Sequence, residues 1–150
     1  MINNFEMEIG GRVLAFEHGR VANQAAGSIT IQYGDTMLLA TAAASKKPRQ
    51  GADFLPLTVE VAEKSYAAGK LPGGFFKREG RPATEAILAS RMIDRPIRPL
   101  FSKTIHNEIQ IIVTILASDN VNPYPALGIV GASTALAISD IAFNDPIGAC

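Results

Sequence analysis

A chain of 150 residues that is 47% hydrophobic and 19% charged holds enough apolar material for one packed core, and so for one domain or most of one. Its 14 basic and 14 acidic residues balance, so overall charge gives no argument for a polyanionic partner, and any such argument must come from local clustering. The single cysteine, Cys150, excludes an internal disulfide framework and a thiolate metal site, which fits a reducing compartment. The start, Met1-Ile2-Asn3-Asn4-Phe5-Glu6, lacks the basic and apolar regions of a secretory signal and the Arg/Ser richness of a transit peptide. The apolar stretch at 109–117 is far too short to span a bilayer. A soluble cytoplasmic protein is expected.

Residues 5–9 and 12–17 read as two strands around a Gly10-Gly11 turn, because paired glycines accept the positive φ values of a two-residue hairpin. Residues 28–33 alternate polar and apolar, Gly34-Asp35 turns, and 36–43 continue as a strand rich in small residues. Residues 46–51 read as a polar, Pro-containing loop, and 57–62 alternate again as a strand. From 63 to 81 no periodicity survives, which predicts a long loop of the kind that is usually functional or mobile. Pro82 suits a first helical position, Glu85 suits the positive end of the dipole, and 86–93 carry good helix formers. Pro96 is expected to end that helix. An Ile-rich central strand follows at 108–116, then a turn at 119–123 and a second helix near 125–139. The small residues Gly128, Gly131, Ala132, Ser133 and Ala135 would let this helix lie close to a sheet or to its neighbour. Residues 144–150 are loop-like. Strands first, then helix, strand and helix, predict an α+β domain with a mixed β-sheet packed against helices.

Charge is uneven along this framework. Seven of the 14 basic residues fall between Lys70 and Arg98 (Lys70, Lys77, Arg78, Arg81, Arg91, Arg95 and Arg98), against Glu79, Glu85 and Asp94. That window carries +4 and the remainder −4. A basic patch beside aromatic rings is what single-stranded nucleic acid requires, with cations along the phosphates and rings for the bases. The rings are Phe75 and Phe76, which follow Gly73-Gly74 in a polar loop. Either they plug the core, the usual fate of large apolar side chains, or at least one is exposed and can stack a base for about 1–3 kcal/mol. Arg91 and Arg95 share a helical face, and Arg98 lies where it could join them. Guanidinium groups suit bidentate phosphate binding; the competing reading is an Asp94-centred ion-pair network that closes the helix end.

Other candidates are weaker. His18 and His106 lie far apart without a flanking carboxylate pattern. Asp140 and Asp145 could share a metal, but a turn role for Asp145 before Pro146 is the simpler reading. Ser133-Thr134 lacks a nucleophile-elbow context, and residues 69–74 do not continue into the Gly-Lys-Ser/Thr of a P-loop. No catalytic residue and no metal ligand is assigned to these 150 residues.

The run Phe75-Phe76-Lys77-Arg78-Glu79-Gly80-Arg81-Pro82, followed by Ser90-Arg91-Met92-Ile93-Asp94-Arg95-Pro96-Ile97-Arg98-Pro99-Leu100-Phe101, resembles the polynucleotide phosphorylase family. Asp53 to Val59, Tyr66 to Gly73 and Phe143 to Ala149 fit the same family, so the resemblance covers most of the chain and fades in the first thirty or so residues. It implies that 1–150 is the first of two RNase PH-like domains, incomplete at its C-terminus, in a protein that continues through a helical segment, a second such domain and two small RNA-binding domains. It also implies a homotrimeric ring in which single-stranded RNA enters a channel narrowed by the loop matching Phe75, Phe76, Lys77 and Arg78. Arg91, Arg95 and Arg98 would lie along the RNA path. Many members carry arginine where this chain has Lys77, which keeps charge but loses bidentate geometry.

The reaction so implied is degradation of RNA from its 3′ end by inorganic phosphate, reversible, with release of nucleoside diphosphates. The phosphate and the Mg2+ or Mn2+ are expected at the second RNase PH-like domain, and docking into an RNA-degradation complex, in a bacterial cytoplasm, is expected of the whole protein. Two rivals stand beside it. One is a stand-alone RNase PH-type exoribonuclease, against which the run from Ile93 to Phe101 argues. The other is a non-catalytic RNA-binding subunit of an exosome-like ring.

Overall fold

Gly10 and Gly11 both take positive φ, 60° and 75°, the geometry of a tight two-residue turn, and join β1 (Asn3–Ile9) to β2 (Arg12–His18). In this computed structural model, which describes every residue except Met1, Gln50 and Ala52, the meander continues through β3 (Gly27–Tyr33) and β4 (Thr36–Pro48). β5 (Leu57–Glu63), α1 (Thr84–Ile97), β6 (Asn107–Ala117) and α2 (Tyr124–Ala137) follow, with short 3-10 turns at Ser65–Ala68 and Arg98–Leu100. The strands form one sheet in the order β1-β2-β3-β4-β6-β5. All neighbours are antiparallel except β5 and β6, which are parallel. A parallel pair needs a long crossover, and residues 64–106, with the long loop and α1, supply it.

Alternation explains which face is covered. Leu38, Ala40 and Ala42 of β4 and Ile109, Ile111, Val113 and Ile115 of β6 are buried, each isoleucine contributing about 1.5–3 kcal/mol by leaving water. They meet Ala132, Ala135 and Leu136 of α2 and Ile93 and Ile97 of α1, all fully buried. The small residues of α2 allow this closeness. A Cβ on Gly131 would lie 3.1 Å from Ala40 Cβ, and one on Gly128 3.0 Å from Ile93 Cδ1. α2 therefore packs against the sheet and against α1 at once. The α+β expectation holds, with both helices on a mixed sheet.

Several boundaries differ from the sequence reading, and three of the differences have a clear physical reason. β4 does not stop at 43; it runs on to Pro48, which pairs with Asn107 across a register shift. Ser45 organises that irregularity: its hydroxyl donates to Lys47 O at 2.8 Å and accepts from the Glu108 N–H at 3.0 Å. Pro82 lies just outside α1, whose N-cap is Ala83. Pro96 does not end α1, because it sits in the last turn, where a missing N–H forfeits a single backbone bond. The Arg98 N–H still reaches Asp94 O, and burial of Ile93 and Ile97 on either side holds the helical path.

Candidate nucleic-acid interface

The long loop leaves the C-terminal end of β5 and returns to the start of α1. Its first turn, Ser65–Ala68, ends at Gly69 with φ 67°. The Ser118 N–H donates to Ala67 O at 2.9 Å, which fastens this turn to the end of β6. Residues 69–83 then carry neither helix nor strand. Two left-handed residues, Gly74 (φ 77°) and Lys77 (φ 50°), bend the chain sharply around the two phenylalanines. Glycine adopts that conformation freely, whereas for lysine it costs roughly 1–2 kcal/mol. Strain of this kind concentrates at functional sites.

Phe75 and Phe76 are 93% and 81% exposed. Their rings touch edge to face, with centroids 5.4 Å apart and planes at 85°. Neither plugs the core, so of the two readings open from composition the structure places both rings in solvent. Lys77, Arg78 and Arg81 are exposed beside them. Among the described residues none of these cations makes an ion pair, since the two ion pairs present are Arg20–Glu17 and Arg98–Asp94.

The three downstream arginines separate into two groups. Arg91 and Arg95 are exposed on α1, about 6 Å apart along the axis at 1.5 Å per residue. Arg98 points elsewhere. Its Nε and Nη2 donate to the Asp94 carboxylate at 3.1 and 2.7 Å, Nη1 donates to Leu55 O at 3.2 Å, and Nη2 also donates to Leu57 O at 3.0 Å. Four of its five N–H groups are thus committed. Leu57 belongs to β5, the last strand of the sheet, and its carbonyl faces away from β6. On the same open edge the Val61 N–H donates to Ser90 Oγ at 3.1 Å, and that hydroxyl donates to Ala86 O at 2.8 Å. Arg98 and Ser90 therefore occupy backbone groups that an exposed edge would offer to another strand. The Asp94 ion pair weighed from sequence is present, but it engages Arg98 alone.

Several other polar groups hold the fold together. Asp119 sits after β6 and accepts from the Val121 and Asn122 N–H groups, both at 2.8 Å, and from Thr36 Oγ1 at 3.0 Å. The backbone bonds from Asn122 and Val121 hold its carboxyl well below the usual range. Tyr124, at the start of α2, donates to Glu63; burial first, and then that bond, push its hydroxyl pKa above the ordinary value. His18 Nδ1 lies 2.9 Å from Ser28 O, while His106 Nδ1 is buried without a hydrogen-bond partner among the described residues. Among the described residues no three His, Cys, Asp or Glu side chains converge to hold a metal ion, and Asp140 and Asp145 form no such group. No helix among them is long and apolar enough to cross a membrane.

Sequence reasoning missed three features here: the strained backbone at Lys77, the edge-covering bonds of Arg98, and the Glu79 carboxylate, which accepts the Ser65 N–H at 2.9 Å and the Ser65 hydroxyl at 3.3 Å. A signal for the last was available, since Glu79 is the only acid between Lys70 and Ala83.

Residues 1–150 are 60% identical over 148 residues to the polyribonucleotide nucleotidyltransferase of Roseiflexus sp. (strain RS-1), an alignment covering 99% of this chain and 20% of that protein. They are 56% identical over 144 residues to the same-named protein of Heliobacterium modesticaldum, covering 96% and 20%. The chain thus spans about one fifth of the length of the curated relatives it matches. Among solved structures it resembles one described as the Archaeoglobus fulgidus exosome with RNA bound to the active site, with TM-score 0.63 and 16% identity over 93% of this chain and 51% of that one; this likeness shows the fold. The model of the RNase PH 3′ exoribonuclease family, domain 1, matches residues 10–142, and the chain belongs to that family.

Proposed function

We propose that this domain holds single-stranded RNA in a polynucleotide phosphorylase, a phosphorolytic 3′-to-5′ exoribonuclease. The observation that carries the reading is the pair of solvent-exposed rings, Phe75 and Phe76, on a strained loop whose cations have no acidic partner among the described residues. Rings that are exposed in the free protein have base faces as natural partners, and unpaired Lys77, Arg78 and Arg81 can follow the phosphates. Arg91 and Arg95 extend the cationic track along α1. Arg98 supports it from behind, through Asp94 and the β5 edge.

In the proposed reaction an oxygen of inorganic phosphate attacks the phosphorus of the last phosphodiester, the bond to the 3′ oxygen of the shortened RNA breaks, and a nucleoside diphosphate leaves. One phosphate linkage replaces another, so the reaction runs in both directions. The family's reaction also uses a divalent ion, Mg2+ or Mn2+, which would stabilise charge on the transferring group. The described side chains of this domain do not form a donor set for it. The ion and the phosphate are assigned to the second RNase PH-like domain; the full-length protein forms a homotrimeric ring, to whose assembly this domain contributes, and docks with RNA-degradation partners in the cytoplasm. The relatives' names support the activity, and their fivefold greater length leaves room for this division.

The test is product analysis. Full-length protein given a 3′-labelled single-stranded RNA should release nucleoside diphosphate only when phosphate is present. Release of nucleoside monophosphate without phosphate would mean hydrolysis and would overturn the proposal.

A further inference from the structure

We infer that Glu79 is a positioning residue that holds the Phe75–Arg78 loop in its RNA-ready shape by latching it to Ser65. The inference rests on the reading of that loop as an RNA contact. The Glu79 carboxylate accepts the Ser65 backbone N–H at 2.9 Å through Oε1 and the Ser65 hydroxyl at 3.3 Å through Oε2. Among the described residues, no other residue from 71 to 82 makes a hydrogen bond or an ion pair with a residue outside that stretch. Apart from the half-buried Pro72, everything distal to this latch is exposed: Leu71, Phe75 and Phe76 are 89%, 93% and 81% accessible. No packing against the core takes its place.

The latch transmits the rigidity of the sheet. Ser65 begins the short turn whose Ala67 carbonyl is held by the Ser118 N–H at the end of β6. β6, the turn, Ser65 and Glu79 therefore form one chain of hydrogen bonds that ends one residue beyond Arg78. The choice of partner is informative. Glu79 lies between Arg78 and Arg81, with Lys77 two residues away, yet it pairs with none of them. A carboxylate that neutralised a neighbouring guanidinium would remove a phosphate contact. Turned towards Ser65, it fixes the loop base and leaves the cations open. Ordering the loop beforehand lowers the entropy that RNA must otherwise meet on binding.

The test compares variants of the full-length protein on a long single-stranded RNA. Glu79→Ala is expected to raise KM by about three- to tenfold, the range for loss of a partly exposed charge-assisted hydrogen bond. Glu79→Gln keeps a carbonyl oxygen for the Ser65 N–H and should raise it less. The deciding measurement repeats Glu79→Ala in a protein whose loop already carries Phe75→Ala, Phe76→Ala, Lys77→Ala and Arg78→Ala. A residue that acts only through the loop has nothing left to position, so the second change should add nothing. Amide exchange at Ser65 should quicken in Glu79→Ala. An unchanged KM in Glu79→Ala, or the same fold increase in the stripped background as in the wild type, overturns the latch while leaving the RNA-contact reading intact. If the stripped loop itself handles long RNA like the wild type, the RNA-contact reading falls, and the latch with it.

Discussion

Arg98→Ala tests whether Arg98 serves the sheet edge, in contrast to the RNA-contact role proposed for Arg91 and Arg95. The substitution removes two bonds to Asp94 and one each to Leu55 O and Leu57 O, and uncovers part of the open β5 edge. A hydrogen bond to a charged group contributes about 1.5–3 kcal/mol where water is excluded. Here the arginine side chain is 42% exposed and the aspartate 26%, so solvent screens the pair and can reach the freed carbonyls. About 2 kcal/mol in all is a reasonable total for the set, equivalent to roughly 4–8 °C in Tm for a domain of this size. Arg98→Lys should recover less than half of the loss, because an ammonium cannot span a carboxylate and two carbonyls as the planar fork does. Arg91→Ala and Arg95→Ala, at exposed positions, should stay within about 0.5 kcal/mol of the wild type. Each should instead lower the slope of log affinity for RNA against log salt by roughly 0.7, the single-strand value per phosphate contact. Urea titration followed by circular dichroism, beside RNA titrations at several salt concentrations, reads both quantities. Wild-type stability in Arg98→Ala together with a flattened salt slope would refute the assignment of Arg98 to the sheet edge.

Other perturbations address the backbone and the charge network. Lys77→Gly and Lys77→Ala remove the same charge, but only glycine suits φ 50°; the glycine variant should be the more stable by about 1 kcal/mol in thermal unfolding, and equal stabilities would mean that the position is unstrained. Gly27→Ala should destabilise by more than about 2 kcal/mol, because its Cβ would come within 1.9 Å of Ala135 O, so a soluble variant with unchanged unfolding would contradict the close packing of β3 on α2. The Asp119 carboxyl is depressed by the Asn122 and Val121 N–H groups, so it stabilises the fold above the ordinary carboxylate pKa, and that contribution fades as pH falls below about 4. Asp119→Asn should therefore be less stable than the wild type at pH 7, with the gap narrowing under acid, and a gap independent of pH would count against this network.

The elements best read from the sequence are those whose physics is local. The Gly10-Gly11 and Gly34-Asp35 turns, the alternation in β3 and β5, and the Ile-rich β6 needed no long-range knowledge. The smallness of α2 likewise announced a close approach. What the sequence concealed depends on partners distant along the chain. β4 runs on to Pro48 because β6 accepts it, and α1 passes Pro96 because Ile97 is buried and Arg98 reaches back to Asp94, Leu55 and Leu57. Exposure of Phe75 and Phe76 could not be settled by composition, since a phenylalanine pair in a polar loop fits either side of the surface. The cationic window was legible as a count, but not the division by which Arg91 and Arg95 face solvent while Arg98 faces the sheet. Glu79 looked like one more surface charge until its distance to Ser65 was known.

The most direct measurement is the rate of nucleoside diphosphate release, in the presence of phosphate, from a long single-stranded RNA and from a very short oligonucleotide, by the full-length protein and by its Phe75→Ala/Phe76→Ala/Lys77→Ala/Arg78→Ala variant. If this domain holds RNA and leaves the chemistry to another, the variant should lose efficiency on the long RNA by at least about tenfold, as expected for one lost stacking contact and its neighbouring charges, and far less on the short one. Equal losses on both substrates, or none on either, would contradict the holding role.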